Sequence, residues 1–271
     1  MAFSAEALQR HLHTTRLGRA CRALPEATST VDLAWEWLRQ GAPEGAVVVA
    51  DRQTQGRGRR GRAWASPEGG LWMSVVSRPG LPAGAAGRLG AAMALAAAEA
   101  VAGLTGDEVR VKWPNDVVVK ARKCGGVLVE TRVDGSLIAA AVLSLGLNAN
   151  LAVAALPETV RETATTLLEA TGCRWSLEQV AAEVLDRLEG LWGSALETGE
   201  TLPARWARRD ALAGLEVSVW AAQGEIQGRA CGIDTEGALV LMVGRDRVRV
   251  SAGEVSVLKA GGHADPTLQA G

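Results

Sequence analysis

The chain has 271 residues, a length that suits one large domain or a large domain with a small one. Lys and Arg total 29 against 30 for Asp and Glu, so the net charge of −1 gives no global field that would attract nucleic acid or an anionic membrane. The four cysteines are scattered and the three histidines lie near the termini, so the spacing of a zinc site is absent. We expect a cytoplasmic protein with reduced thiols, no metal site of its own, and neither a membrane nor a nucleic acid as partner.

The first fifty residues predict two helices and one strand. Residues 1–25 are polar and arginine-rich, and we expect them to be an N-terminal tail formed by a short helix and a connector. Thr28, Ser29 and Thr30 precede apolar residues at helical spacing, which predicts a helix capped by a hydroxyl group. The apolar run 46–50 predicts a buried strand, whereas residues 51–70 have no apolar stripe. A loop of that length inside a compact domain is usually functional.

The remaining elements divide the chain into a large α+β domain and a small β module. Strands are predicted over residues 71–77, 109–113, 117–120, 124–133 and 137–145, and helices over residues 83–103, 177–196 and 203–210. The first of these helices is alanine-rich, which favours a buried helix over a membrane span. Short glycine-punctuated strands from residue 216 onward predict an SH3-like barrel. The predicted divisions are a domain over 26–212, the barrel over 213–260 and a tail over 261–271.

The most informative motif alternates glycine and arginine from Gly56 to Arg62. Glycine lets the backbone approach a ligand closely, and arginine presents a planar fork of donors that suits phosphate and carboxylate. Four like charges repel one another, so an anionic ligand would order the loop. The motif predicts a loop that closes on a phosphate or an acyl phosphate. A solvated basic loop and an RGG-like nucleic-acid segment remain open on these residues alone.

A second motif places an amide and a carboxylate just after a strand. Pro114 fixes the turn, so Asn115 and Asp116 point in defined directions. Lys123 stands at the head of the following strand, before Gly126. A carboxylate and a lysine on adjacent strand ends can orient a nucleophile and offset charge building on a phosphate. For this motif alone, a turn with a surface ion pair is the competing interpretation.

These motifs occur together and in order, and the sequence resembles the biotin protein ligases. The matching segments are residues 28–30 (TST), 53–64 (QTQGRGRRGRAW), 112–116 (KWPND), 122–130 (RKCGGVLVE) and 146–148 (GLN). The resemblance implies a mixed, mostly antiparallel sheet packed with helices, as in class II synthetases. It also implies an ATP-dependent, AMP-forming ligase. Such an enzyme joins biotin to AMP, with Mg²⁺ carried by ATP, and passes biotin to a lysine of the biotin carboxyl carrier protein of acetyl-CoA carboxylase.

The resemblance also implies roles for individual residues. Those expected to be catalytic are Lys123, Arg57 and Asp116. Those expected to bind biotin are Ser29, Thr30, Val31, Gln53, Gly56, Arg57, Gly58, Arg59, Lys123 and Gly126. Those expected to bind ATP or the adenylate are Arg57, Arg59, Arg60, Trp64, Asn115, Lys123 and Asn148. Val31 departs from the small polar residue of many family members, which removes one hydrogen bond that biotin could receive.

Two alternative functions stay open at the level of sequence. A lipoate or octanoate protein ligase or transferase would have a similar fold and similar acyl chemistry. A nucleic-acid-binding protein could use the arginine loop and the β module. Only about 25 residues precede the region of resemblance, too few for a three-helix DNA-binding domain, so no repressor role is expected. A homodimer is compatible with the sequence, which shows no interface.

Overall fold

The computed structural model describes residues 2–222 and 224–258. Its α-helices are α1 (Ala5–His11), α2 (Thr30–Arg39), α3 (Ala86–Thr105), α4 (Glu158–Arg161), α5 (Leu167–Thr171), α6 (Leu177–Gly190) and α7 (Leu202–Ala207). The strands of its first sheet are β1 (Cys21–Ala27), β2 (Val47–Gln53), β3 (Leu71–Ser77), β4 (Leu81–Pro82), β5 (Val109–Lys112), β6 (Asp116–Val119), β7 (Arg122–Asp134) and β8 (Leu137–Leu147). Those of its second sheet are β9 (Glu216–Ala221), β10 (Gly224–Ile233), β11 (Leu239–Val243), β12 (Asp246–Val250) and β13 (Glu254–Val257).

The large sheet has the strand order β1-β2-β3-β8-β7-β6-β5, and β4 pairs with the far end of β8. Only the β1–β2 pair is parallel among these described strands, so the predicted mixed and mostly antiparallel sheet is confirmed. Helix α3 lies against the sheet and α6. It is long and apolar enough to cross a membrane, but 72% of its most apolar window is buried inside the protein. The alanines of α3 therefore form the centre of the core, as the composition predicted.

The N-terminal segment contains the predicted short helix, as α1, but residues 1–25 pack into the core and are not a separate tail. Leu8 and Leu17 are buried in the core, and the segment ends within β1. Carboxylates of α6 accept its backbone N–H groups: Asp186 accepts those of residues 13 and 14, and Glu189 those of residues 15 to 17. These partners lie more than 170 positions away in sequence, so local pattern gives no sign of them. The segment belongs to the large domain.

The second sheet is antiparallel, with the order β12-β11-β10-β9-β13. Inward-facing side chains of strand β9, such as Val217 and Val219, are two residues apart and fully buried. This arrangement is consistent with the predicted SH3-like barrel, although strand β13 was not predicted. The predicted tail over 261–271 lies outside the described residues.

The junction between the two sheets is closely packed. Arg88 of α3 is 8% exposed and donates to the carbonyl oxygens of Thr235 and Glu197, and it pairs with Glu236. A Cβ atom on Gly87 would lie 2.4 Å from the carbonyl oxygen of Glu236. The β9–β13 module therefore sits on the start of α3 in a contact that only glycine permits.

This contact makes a prediction about stability. Gly87→Ala should lower the free energy of unfolding by about 1–3 kcal/mol, because the new methyl group forces two backbones apart. Gly90→Ala is the matched control on the same helix, since its Cβ would meet nothing closer than Val129 at 4.0 Å. It should be neutral or stabilising, because alanine is the better helix former. Denaturant unfolding measures both, and equal stability of the two variants would contradict the tight junction.

Candidate active site

One row of residues crosses the large sheet, and its middle members Asp116, Gly126 and Gly146 line a cavity. Register pairs link Lys112 to Asp116, Asp116 to Gly126, Gly126 to Gly146, and Gly146 to Trp72. Because paired residues on adjacent strands point to the same face, all five lie on one side of the sheet. The loop after β2 and the turn between β5 and β6 form the cavity walls, and the β9–β13 module contributes part of its rim.

Trp64 lies flat over the two glycines of this row. A Cβ on Gly146 would lie 2.6 Å from the Trp64 Nε1 atom, and a Cβ on Gly126 would lie 3.3 Å from the indole ring. The ammonium group of Lys123 is 5.2 Å from the centroid of the same ring, within the range of a cation–π contact. The glycines thus allow an aromatic side chain to lie against the backbone of the sheet and to wall the cavity.

Charges alternate on and just behind the buried floor of the cavity, where Asp116 and Lys123 line it and Lys112 lies beside Asp116. Lys123 Nζ is 2.9 Å from the Asp116 carboxylate, which is 3% exposed. Lys112 is also 3% exposed, and its Nζ has no hydrogen-bond partner among the described residues. Burial lowers the pKa of Lys112 from 10.5 to about 8; the Asp116 carboxylate opposes this shift and the Lys123 ammonium adds to it. Two ammonium groups around one carboxylate leave a surplus of positive charge that suits an anionic ligand.

The arginine loop closes on itself above this floor. The N–H of Gly58 donates to the carbonyl of Arg62 (2.8 Å), and the N–H of Trp64 donates to that of Gly56 (2.9 Å). A Cβ on Gly56 would lie 2.3 Å from the Trp64 carbonyl oxygen, so this position requires glycine. Arg60 adopts the left-handed conformation with φ 56°. The glycines of the motif therefore shape a tight hairpin.

Each arginine of the loop is held by a side-chain oxygen from outside the loop. Arg57 pairs with Asp32 of α2 (2.7 Å) and with Glu130 of β7 (3.4 Å). Arg59 lies 3.3 Å from the side-chain oxygen of Asn115, and burial lowers the pKa of its guanidinium. The ion pairs of the next two arginines converge on a single carboxylate of the β9–β13 module: Arg60 to Glu254 (3.3 Å) and Arg62 to Glu254 (2.7 Å). The loop therefore bridges the two sheets at the rim of the cavity.

The other end of the cavity is neutral. The Gln53 side-chain oxygen accepts hydrogen bonds from the N–H (2.8 Å) and the hydroxyl (3.1 Å) of Thr30. The series of hydrogen bonds continues with the Ser74 hydroxyl, which donates to the hydroxyl of Thr30 (2.8 Å). The hydroxyls of Ser74 and Ser144 are also hydrogen-bonded to each other (2.8 Å). Val31 adds an apolar wall. The cavity thus joins an uncharged polar pocket to a cationic centre.

Comparison with known proteins identifies the family. Residues 24–148 match the Biotin/lipoate A/B protein ligase family, and residues 214–258 match the Biotin protein ligase C terminal domain. The biotin–[acetyl-CoA-carboxylase] ligase of Mycobacterium tuberculosis is 35% identical over 80% of this chain and 80% of its own length. That of Paracoccus denitrificans is 34% identical over 80% of this chain and 92% of its own length. The chain belongs to the biotin protein ligase family.

Solved structures of this family share the architecture. The biotin protein ligase from Aquifex aeolicus in complex with biotin and ATP superimposes with a TM-score of 0.76 at 29% identity, covering 89% of this chain and all of that one. The chain spans 61% to 66% of the length of the curated bifunctional ligase/repressors that it also matches, such as that of Bacillus subtilis. The predicted class of fold is therefore confirmed.

The cavity of this ligase-family chain collects most of the residues that the sequence singled out. The predicted residues that line it are Thr30, Val31, Gln53, Arg57, Gly58, Arg59, Trp64, Asn115, Asp116, Lys123 and Gly126. Those that lie behind or beside the lining are Ser29, Gly56, Arg60 and Asn148. Ser29 and Asn148 are buried, and each has one side-chain oxygen without a hydrogen-bond partner among the described residues. Arg60 is half-exposed at the outer rim.

Sequence reasoning missed several residues that the structure brings to this site in the ligase fold. Ser74 and Ser144 extend the neutral chain of hydroxyls, and Lys112 joins the buried charges. Glu254 reaches the cavity from the far end of the chain. Lys112 could have been found, because it precedes the turn at Pro114 and pairs with Asp116 if that turn is tight. The two serines and Glu254 carry no local signal.

Proposed function

We propose that this chain is a biotin protein ligase. It would join biotin to the α-phosphate of MgATP, forming biotinyl-5′-AMP and pyrophosphate, and then pass biotin to an acceptor lysine. The observation that carries the proposal is the distribution of charge in one cavity. An uncharged polar pocket opens onto a buried centre rich in lysine and arginine. The names of the relatives, which include biotin–[acetyl-CoA-carboxylase] ligases, support it.

The neutral end would hold the ring system of biotin. That ring carries no charge, so the hydroxyl and amide groups around Thr30 and Gln53 can satisfy its polar atoms at little desolvation cost. Ser74 and Ser144 would extend the same set of donors and acceptors. Val31 would make an apolar contact with biotin.

The cationic end would hold the reacting groups. In the first step an oxygen of the biotin carboxylate attacks the α-phosphorus of ATP, and the bond to the pyrophosphate oxygen breaks. Negative charge gathers on the phosphoryl oxygens, and Lys123, Arg57 and Arg59 would stabilise it more strongly in the transition state than in the ground state. Lys123 is already fixed by its pair with Asp116, so little reorganisation is needed. Trp64 and Asn115 would flank the adenylate.

In the second step the acceptor amine attacks the acyl carbon of the mixed anhydride. The carbon–oxygen bond to phosphate breaks, AMP departs, and the proton of the amine passes to solvent or to AMP. Asp116 would receive a hydrogen bond from the incoming amine and so direct its lone pair. We place both steps in the domain over 26–212, extended by the N-terminal segment, with the module over 213–260 closing the arginine loop through Glu254.

The acceptor that we propose is the biotin carboxyl carrier protein of acetyl-CoA carboxylase, met in the cytoplasm. The test combines the purified chain, MgATP and a recombinant carrier domain with biotin, lipoate or octanoate in turn. We expect pyrophosphate release and a mass increase of one biotinyl group on the carrier with biotin alone. With a carrier whose acceptor lysine is replaced by arginine, the enzyme should release one pyrophosphate per molecule of enzyme, and the carrier should gain no mass. Transfer of lipoate or octanoate in preference to biotin would replace this proposal with the lipoate-ligase alternative.

A further inference from the structure

An exposed tryptophan lies close to the mouth of the cavity. Trp220 of β9 is 56% exposed, the highest value for a large apolar side chain in the described part of the chain. Most tryptophans of a folded protein bury their rings, and tryptophan is enriched at the centres of protein interfaces. An exposed indole that no helix or loop of the same chain covers therefore indicates a contact surface.

The position of Trp220 connects it to the candidate active site. Trp220 is the register partner of Glu254 on β13, so the two side chains lie side by side on one face of the sheet. Glu254 lines the cavity and pairs with Arg62. A shallow depression beside it is lined by Trp220, Arg60 and Arg249, which we call the rim patch. The rim patch therefore lies directly beside the cavity, because Trp220 is the neighbour of a residue that lines it.

Two half-exposed arginines flank the aromatic centre of the rim patch, and each is already paired with a carboxylate. Arg60 pairs with Glu254 and is 48% exposed, and Arg249 pairs with Asp234 and is 50% exposed. A guanidinium group has five N–H donors, so each arginine keeps donors for a second carboxylate. A partner that fits would present an apolar side chain to the indole and carboxylates to the two arginines.

We propose that the rim patch docks the acceptor protein during the second half-reaction, an inference that rests on the proposed ligase function. The acylated intermediate stays in the cavity, so the acceptor must bring its lysine to the mouth and cover the surface beside it. The rim patch borders that mouth, combines an aromatic anchor with guanidinium N–H donors, and joins the arginine loop to the module that holds it. The partner is therefore the carrier domain, and its contact face carries an apolar residue and acidic residues close to the acceptor lysine.

The test separates docking from chemistry. Trp220→Ala should raise the KM for a recombinant carrier domain about tenfold, the typical effect of removing a tryptophan anchor, with little change in kcat. Biotin-dependent pyrophosphate release without carrier should be unchanged. Hydroxylamine offers a second readout, because this small amine attacks the same acyl carbon, expels AMP and needs no docking surface. Its rate of biotin hydroxamate formation should also be unchanged.

Matched controls come from other exposed apolar residues. Leu215→Ala lies in the same module outside the rim patch, and it should leave the KM for carrier unchanged. Val133 and Leu137, at the tip of the β7–β8 hairpin, are 48% and 46% exposed and offer a rival docking surface. Thermal unfolding of each variant confirms that an effect on KM is not a loss of fold.

Several results would overturn the proposal. An unchanged KM in Trp220→Ala would do so, as would a rise in KM confined to Val133→Ala and Leu137→Ala. Sedimentation could also show that the unsubstituted chain forms a dimer and that Trp220→Ala abolishes it. That result would assign the rim patch to a second copy of the chain instead. An unsubstituted chain without biotin-dependent pyrophosphate release would overturn the ligase function, and the docking role with it.

Discussion

Lys123→Met is expected to lower the rate of biotin adenylation by a factor of roughly 10² to 10³, the usual effect of removing one preorganised donor from a developing oxyanion. Lys123 is the cation on the cavity floor with a fixed counter-ion, at 2.9 Å from the Asp116 carboxylate. It also lies under Trp64, where its ammonium faces the ring at 5.2 Å from the centroid. Because both contacts restrict the side chain, the loss should fall on kcat. Biotin-dependent exchange of pyrophosphate into ATP measures it.

A control is needed because Asp116 is buried. Removing one partner of a buried ion pair leaves an uncompensated charge and can cost 3–5 kcal/mol of stability in general. The double variant Asp116→Asn with Lys123→Met removes both charges of this pair, and the neighbouring Lys112 can lose its proton because its pKa is already lowered to about 8, so the variant should fold while remaining inactive. Lys120→Met tests the specificity of the effect, because Lys120 is exposed and pairs with Asp107 outside the cavity. Full activity in the folded double variant would exclude Lys123 from the chemistry.

Local patterns in the sequence account for much of the fold. The apolar run before the arginine loop predicts β2, and the alanine-rich segment predicts α3, because burial periodicity and helix propensity act over a few residues. The prediction of a tail over residues 1–25 was wrong because the contacts that order this segment are distant in sequence. Strand β1 contains Pro25 and charged residues, and the connector between α1 and β1 is anchored by carboxylates of α6. Its order comes from partners that only the folded chain brings near.

The site divides in the same way. The motifs around Arg57 and Asp116 are continuous in sequence, so the residue types alone indicate an anion site. The pairing of Asp116 with Lys112 depends on strand register, and the contacts of Glu254 depend on how the β9–β13 module docks on α3. Register and docking follow from the whole core, which a single sequence does not display. The sequence therefore predicted that the loop binds an anion, but it did not predict that the carboxylate of Glu254 holds the loop.

Gly146→Ala is expected to lower the adenylation rate at least tenfold, although the change adds one methyl group. The new Cβ would lie 2.6 Å from Nε1 and 2.9 Å from Cε2 of Trp64, closer than atoms can approach. Gly146 sits on β8 in register with both β3 and β7, so its backbone is fixed on two sides. Trp64 must therefore leave the sheet, and with it moves the end of the arginine loop. A displacement of about 1 Å in a positioning element can cost a factor of 10² in rate.

A double-mutant cycle attributes this effect to Trp64. If Gly146→Ala acts only by displacing the indole, then it should have little further effect once Trp64→Ala has removed that indole. The two single variants and the double variant should then share nearly the same adenylation rate. Gly126→Ala offers a graded comparison, because its Cβ would meet the same ring at 3.3 Å, and the loss should be smaller. Additive losses in the double variant would show that Gly146 serves the sheet itself, since each substitution would then act through its own contacts.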